Sequence, residues 1–450
     1  MIDRTRLSRL VERERAAYAS GHPASMRAFE QAGSHLLGGV PMTWMRVWPG
    51  GFPLYLATAH GARLTDLDGN IFTDFALGDT GAMAGHSPAA VTAAVTERFG
   101  ELGGATTMLP TEEAAKVGAE LTRRFGPTHW SFALSATDAN RWALRIARQL
   151  TGRPKVAVFS YCYHGSVDES FIIATPEGPR SRPGNTGAAV DPVQTTRVVE
   201  FNDLAGLERE LASGDVAALL MEPALTNIGI VLPEPGYLDA VRQLTRDHGV
   251  LLINDETHTF SAGPGGCTRA WNLDPDLVTI GKAIGGGIPC GAYGLSVELA
   301  ERIMADKSAD LIDTGGIGGT LAGNALSVAA MRATLESVLT DDAFADMIAL
   351  ATRYTAGVAD VIASRGLPWN IVQLGARAEY RFCPQPPRSG GESALAADPE
   401  LDEYLHLYLA NRGLLITPFH NMALTCPATT DADVDSHTTL FAAASDELVN

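Results

Sequence analysis

Five short apolar runs, at residues 132–135, 156–160, 217–221, 250–254 and 277–280, lack the every-other-residue alternation of a half-exposed strand. Strands of that kind are buried on both faces, and a sheet covered on both faces needs helices above and below it. The chain supplies helices between the runs: residues 237–248 put Leu238, Val241 and Leu244 on one side of a helix that Gly249 stops. Repeated strand–helix–strand units predict an α/β fold, a doubly wound and mostly parallel sheet sandwiched by helices. Ligands of such sheets collect at the carboxyl ends of the strands.

The pattern defines a large domain over residues 64–325. Residues 1–63 read as an N-terminal arm forming part of a small domain, with Arg/Glu/Ala-rich helices over 3–32 and a glycine-broken segment over 36–53. Residues 326–450 change to long helices, a Pro/Gly/Ser-rich loop at 384–391 and short strands, which reads as an α+β C-terminal small domain packed with the arm. At 450 residues and 46% apolar content, the chain can fill both cores.

The formal charge of −18, from 34 basic and 52 acidic side chains, opposes binding to phosphate backbones and anionic lipid, and no Lys/Arg cluster offsets it. Neither nucleic acid nor a membrane is an expected partner. The five cysteines have neither zinc-site nor disulfide-framework spacing, so no metal is expected and a reducing compartment is. The first 15 residues are charged throughout without an apolar targeting stretch, and no apolar run reaches membrane-spanning length. A cytoplasmic location is the expectation.

The last apolar run leads into Gly281-Lys282-Ala283-Ile284 and three further glycines. A lysine held in such a turn, partly out of water, can lose its proton and attack a carbonyl. The preceding run leads into Asp255-Glu256. A carboxylate at one strand end and an amine at the next is the pair that pyridoxal phosphate needs, acid on its pyridine nitrogen and amine on its aldehyde. Each half alone has a plainer reading, a solvated strand-end lysine and a helix-capping aspartate.

Further pieces accompany that pair. Ser135-Ala136-Thr137 opens an amphipathic helix whose first-turn amides suit a phosphate, although Ser135 or Asp138 could merely cap it. In Tyr161-Cys162-Tyr163-His164-Gly165, directly after a run, Tyr163 can stack on a flat heteroaromatic ring. Its plainer role is a core aromatic with His164 as a hydrogen-bonded partner. Gly318-Gly319-Thr320 is a glycine-rich turn with one hydroxyl donor before a helix.

Together these residues resemble the class III aminotransferases, a branch of the fold-type I pyridoxal phosphate enzymes. Within that branch they are most similar to the group of glutamate-1-semialdehyde aminomutase, the β-amino-acid aminotransferases and the ω-amine transaminases. The resemblance runs from about Gly38 to Leu326 and includes Asp66-Leu67-Asp68-Gly69-Asn70, Gly85-His86-Ser87-Pro88, Leu150-Thr151-Gly152-Arg153, Glu222-Pro223 and Pro275-Asp276-Leu277. It implies that Lys282 forms the Schiff base with pyridoxal 5′-phosphate, that Asp255 pairs with the pyridinium nitrogen, and that Tyr163 and Thr257 cover the two ring faces. Ala136 and Thr137 would bind the phosphate, with Ser135, His164 and Glu222 also among the cofactor contacts. Thr320 would reach the phosphate of a neighbouring subunit, which implies a homodimer with sites at the subunit interface. The chain departs from the family at Ala136, at Thr257-His258-Thr259-Phe260-Ser261 and at Pro41-Met42-Thr43-Trp44-Met45-Arg46. The last two segments lie where substrate recognition is expected.

The implied activity is transamination, with Lys282 as the base that moves the substrate proton. The amino group would pass from an amine or a β- or ω-amino acid, partly apolar or aromatic, to a keto acid such as pyruvate or 2-oxoglutarate. Trp44, Trp48, Phe419 and His258 suggest an aromatic-lined substrate pocket, and Arg46, Arg412 and His420 a carboxylate clamp. The plainer reading packs the tryptophans between the arm and the second domain and leaves the arginines in solvent. The alternative enzyme is glutamate-1-semialdehyde 2,1-aminomutase, which needs the same parts. The non-enzymatic alternative, a regulatory protein on this fold, is opposed by the presence of both Lys282 and Asp255 and by the lack of a basic helix-turn-helix segment.

Overall fold

The computed structural model describes residues 2–126, 129–309 and 315–449. The chain divides into two compact units. One holds residues 89–344 and 387–395 and carries all five apolar runs.

Its centre is a seven-stranded sheet of β1 (His129–Ala133), β2 (Lys155–Phe159), β3 (Thr196–Val199), β4 (Val216–Met221), β5 (Leu251–Asp255), β6 (Leu277–Ile280) and β7 (Gly291–Leu295). The spatial order is β1-β7-β6-β5-β4-β2-β3. The neighbours from β6 to β3 pair in parallel, and β7 runs antiparallel to both β6 and β1. Every residue of β4, β6 and β7 is buried, so no period-two pattern marks them in the sequence.

Helices α1 (Ala136–Thr151) and α2 (Tyr237–Asp247) belong to the sheet's core. Ala139, Ala143, Ile146 and Ala147 of α1 and Leu238 and Val241 of α2 share one apolar cluster with Val156, Leu219, Leu252 and Leu277. The strand register then positions the chemistry. Asp255, the last residue of β5, is level with Thr279 of β6, so Lys282 follows three residues later at the same carboxyl edge. Ala133, which ends β1, is paired with Gly291 of β7, and Ile280 of β6 with the adjacent Ala292. The start of α1 is thereby brought to that edge too.

The other unit holds residues 1–88, 345–386 and 396–450. Residues 64–88 thus group with the chain's two ends, and residues 326–344 with the sheet unit. A three-stranded antiparallel sheet joins Asn370–Leu374, Arg377–Arg381 and Met422–Leu424. A second sheet orders Leu56–His60, Arg63–Asp66, Ile71–Asp74 and Leu414–Leu415. Leu7, Leu10 and Val11 of the first helix share a core with Tyr404, Leu405 and Phe441, which ties the N-terminal helix to the C-terminal segment. No helix among the described residues is long and apolar enough to cross a membrane.

Candidate active site

The carboxyl edge of the seven-stranded sheet encloses a cavity of about 270 Å³. Its walls bring together Ser135, Ala136, Thr137, Tyr163, His164, Asp255, Thr257, His258 and Lys282, residues drawn from four separate strand ends and their loops. Concave sites with a few converging polar groups are where small ligands bind.

Asp255 is buried, and both oxygens of its carboxylate accept hydrogen bonds, Oδ1 with acceptor capacity to spare. Oδ2 accepts from Asn140 Nδ2 at 2.7 Å and from His164 Nδ1 at 2.9 Å, and Oδ1 accepts from the Thr257 amide at 3.0 Å. Burial alone would favour the protonated acid, but the His164 hydrogen bond and charge, helped by Thr257 and Asn140, hold Asp255 below the usual carboxylate range. Burial likewise disfavours a charged His164, yet the Cys162 sulfur and the Asp255 carboxylate together raise the imidazole well above its ordinary value. We attribute that rise chiefly to Asp255, because it is an ionised partner in direct hydrogen-bond contact. Both shifts favour the charged forms, a carboxylate beside an imidazolium.

Asn140 is the residue that the sequence reading missed. Besides Asp255, its Nδ2 donates to the His164 carbonyl at 3.2 Å, and its Oδ1 accepts from Thr279 Oγ1 at 2.5 Å. One amide thus ties α1 to the loop after β2 and to the ends of β5 and β6. The available signal was a polar residue on a buried flank of α1, beside Ala139 and Ala143.

Lys282 is half-buried and has φ +48°, in the left-handed region that a side chain rarely adopts. Such strain persists where surrounding structure over-determines the backbone, commonly at functional sites. Gly281 permits the turn, since a Cβ there would lie 2.8 Å from the Ala136 amide nitrogen. The Lys282 Nζ is 2.8 Å from His258 Nε2.

At the start of α1, Ser135 is the N-cap, its Oγ accepting from the Asp138 amide at 3.2 Å and donating to Asp138 Oδ2 at 3.1 Å. The serine hydroxyl thus caps the helix and faces the same cavity. The amides of Ala136 and Thr137, in the first turn, have no intrahelical acceptor and sit at the positive end of the helix dipole. Thr137 Oγ1 accepts from the Ser166 amide at 3.1 Å. Gly165, with φ +76°, lets its loop meet the helix: a Cβ there would fall 2.0 Å from Thr137 Oγ1. Gly165→Ala is expected to cost at least about 2 kcal/mol, from the left-handed backbone and the overlap together. A lowered melting temperature of the apoprotein is the measurement.

Tyr163 is half-buried, and its amide donates to Glu222 Oε1 at 3.2 Å. Glu222 is buried behind the cavity wall and also accepts from Thr226 Oγ1. Burial raises its carboxyl despite the opposing His164 charge and the Thr226 hydrogen bond. It anchors the backbone of the loop that carries Tyr163. The Thr257 hydroxyl is buried without a hydrogen-bond partner, a polar group available to a ligand. Thr320 lies exposed in the turn before helix Ala325–Ser337.

The remaining predicted residues belong to the other unit. Trp44, Trp48 and Phe419 line a separate cavity of about 230 Å³ with Leu64 and Leu415, and the Trp44 and Phe419 rings meet edge-on at 6.1 Å. Arg46 lies 5.9 Å over the Phe29 ring, and His420 Nδ1 is 3.2 Å from Glu379 Oε1. Arg412 departs from the expectation. Its guanidinium pairs with Glu14 at 3.0 Å and lies 3.4 Å over the Tyr408 ring, a structural placement rather than a carboxylate clamp.

A model of the class III aminotransferase family matches residues 45–442. The glutamate-1-semialdehyde 2,1-aminomutase of Desulfitobacterium hafniense (strain Y51) is 33% identical over 420 residues, 91% of this chain and 95% of that one. Among solved structures, a glutamate-1-semialdehyde-aminomutase from Pseudomonas aeruginosa PAO1 in complex with PMP is 48% identical, with a TM-score of 0.96 over 99% of each chain. An omega-transaminase from Sphaerobacter thermophilus is 28% identical, with a TM-score of 0.86 over 95% of this chain and 98% of that one.

Proposed function

The chain belongs to the class III aminotransferases, and from that premise we propose that it is a 2,1-aminomutase that moves the amino group of glutamate 1-semialdehyde within one molecule. The observation that supports this most is the 48% identity, over 99% of both chains, with the Pseudomonas aeruginosa protein of that name. The transamination expected from the sequence is the second reading. It is favoured by the departures at residues 41–46 and 257–261 and by the likeness to the omega-transaminase.

The cofactor is pyridoxal 5′-phosphate, and the cavity suits it. A helix start with open amides, a close approach that only Gly165 allows, a buried hydroxyl without a partner, an ionised buried carboxylate and an amine all line one space. When bound, the cofactor supplies an aldehyde that condenses with amines and a ring that draws off the electron pair left when a neighbouring carbon loses its proton. Lys282 would hold the aldehyde and, once displaced by a substrate amine, take and return a proton at Nζ. Asp255, kept ionised by His164 and Asn140, would hold the proton on the pyridine nitrogen. The Ala136 and Thr137 amides would take the phosphate, and Tyr163 and Thr257 would cover the ring faces. Ser135 and Glu222 would act by fixing the helix start and the Tyr163 loop.

In this reading the active form is a cytoplasmic homodimer, in which Thr320 adds a hydroxyl donor to the phosphate bound by the neighbouring subunit. Its exposure in the isolated chain agrees with such a role.

The holoenzyme is expected to convert glutamate 1-semialdehyde to its isomeric amino ketone without any added keto acid. Chromatography of the products, run in parallel with an aryl β-amino acid plus pyruvate or 2-oxoglutarate, separates the two readings. Turnover only in the second mixture, with release of a ketone, replaces the aminomutase by the transaminase.

A further inference from the structure

We propose that His258 is a positioning residue for Lys282, holding the lysine amine through a hydrogen bond from Nζ to Nε2 and so governing when that amine can take a proton. The proposal rests on the reading of Lys282 as the amine that moves the substrate proton.

The contact is 2.8 Å, and His258 is 8% exposed, so little water competes for Nε2. His258 is held from both sides. On one side the Thr257 amide donates to Asp255 Oδ1 at 3.0 Å, and on the other Thr259 Oγ1 donates to Glu256 Oε2 at 2.6 Å. The next residue, Phe260, is fully buried. Lysine, by contrast, carries its charge on a flexible four-carbon stem, and an acceptor at its tip removes much of that freedom. A histidine pinned in this way defines where Nζ points.

The direction of the hydrogen bond has a chemical consequence. Nε2 can accept from Nζ only when the imidazole is neutral with its proton on Nδ1. The amine lone pair is then free to take a proton, and the ammonium that results keeps one of its N–H bonds on Nε2 until the proton is returned. A protonated imidazole has no lone pair at Nε2. It would donate to the amine instead and occupy the lone pair that the reaction needs. The other titratable groups lining the same cavity are Asp255 and its partner His164, Tyr163 and Cys290. Asp255 and His164 are joined to one another, and Lys282 Nζ meets His258 Nε2 in the same space.

His258→Gln and His258→Leu test this in the holoenzyme. Glutamine offers a carbonyl acceptor that does not titrate, and leucine offers none. Leucine should lower kcat at least about tenfold with KM within twofold, the size of one lost hydrogen bond to a charged group. Glutamine should recover most of kcat while removing the acid limb of its pH profile. The visible band of the resting holoenzyme, titrated with pH and read without turnover, should change its midpoint in both variants. The proposal is overturned if the glutamine variant keeps the wild-type acid limb, or if the band titrates as in wild type in both. Because glutamine is near-isosteric, a leucine variant that fails to fold still leaves those readouts. If reduction of the wild-type holoenzyme shows no cofactor linked to Lys282, the functional reading itself falls. A linked Lys282 with unchanged titrations removes only the role of His258.

Discussion

Lys282→Ala is expected to lower kcat by about 10⁴-fold or more, because in the proposed mechanism it removes both the amine that holds the cofactor and the base that moves the substrate proton. The fold should survive. Position 282 keeps its left-handed backbone in either residue, and the turn is set by Gly281 and Gly286. Noncovalent retention of cofactor should persist as well, since Ala136, Thr137 and Asp255 are untouched. Steady-state rates at saturating substrate, together with absorbance of the gel-filtered protein, test both halves. Activity above about one hundredth of wild type would contradict the assignment, since it is far above what remains after a nucleophile and base are lost together.

Asp255→Asn should retain cofactor but lose about 10²-fold or more in kcat, because an amide has no charge with which to hold a proton on the ring nitrogen. It should also change how stability depends on pH. Asp255 is held below its ordinary value, so its contribution is present above about pH 4 and is lost as pH falls through its folded value. His164 is held above its ordinary value, so its contribution is present below about pH 6.5 and is lost as pH rises through its folded value. The pair therefore stabilises most fully between these limits. In the asparagine variant the imidazolium loses its counter-charge, and that dependence should flatten. Melting temperatures of the apoproteins across pH 4–9 read this directly; parallel curves for the two proteins would contradict the pairing.

The sheet was legible where the sequence is continuously apolar, except that the run at 132–135 marks only the end of β1, which spans His129–Ala133 and is partly exposed. Two strands were not, for distinct reasons. Strand β3 carries Arg197 among its four residues, and β7 contains two glycines that dilute its apolar signal. Gly294 is required there because the Trp130 ring lies 2.7 Å from where a Cβ would sit. Lys282 and Asp255 were legible because Asp255 ends one buried strand and Lys282 lies two residues beyond the next, where chain order alone fixes the side of the sheet. Asn140 was not, since its value lies in three partners that are distant in sequence and adjacent only after α1 docks.

The choice between aminomutase and transaminase was the least legible part, and the reason is chemical. In the proposed reading, lysine, aspartate and the helix start at Ala136 and Thr137 serve the cofactor, and the cofactor serves both reactions. Discrimination rests with residues that touch the substrate. The sequence pointed to Trp44, Trp48 and Phe419, which line a cavity of the other unit with one another. Of the proposed substrate contacts, His258 is the one found in the wall beside Lys282.

The chain contains only four lysines, Lys116, Lys155, Lys282 and Lys307, which makes the central claim easy to examine. Lys155 lies 3.5 Å from Asp215 in a half-buried ion pair, and among the four Lys282 alone lines the cavity. Borohydride reduction of the holoenzyme, followed by proteolysis and mass spectrometry, should place the cofactor adduct on the peptide containing Lys282 and on no other. An adduct on Lys116, Lys155 or Lys307, or no adduct on a protein that turns over substrate, would contradict the account.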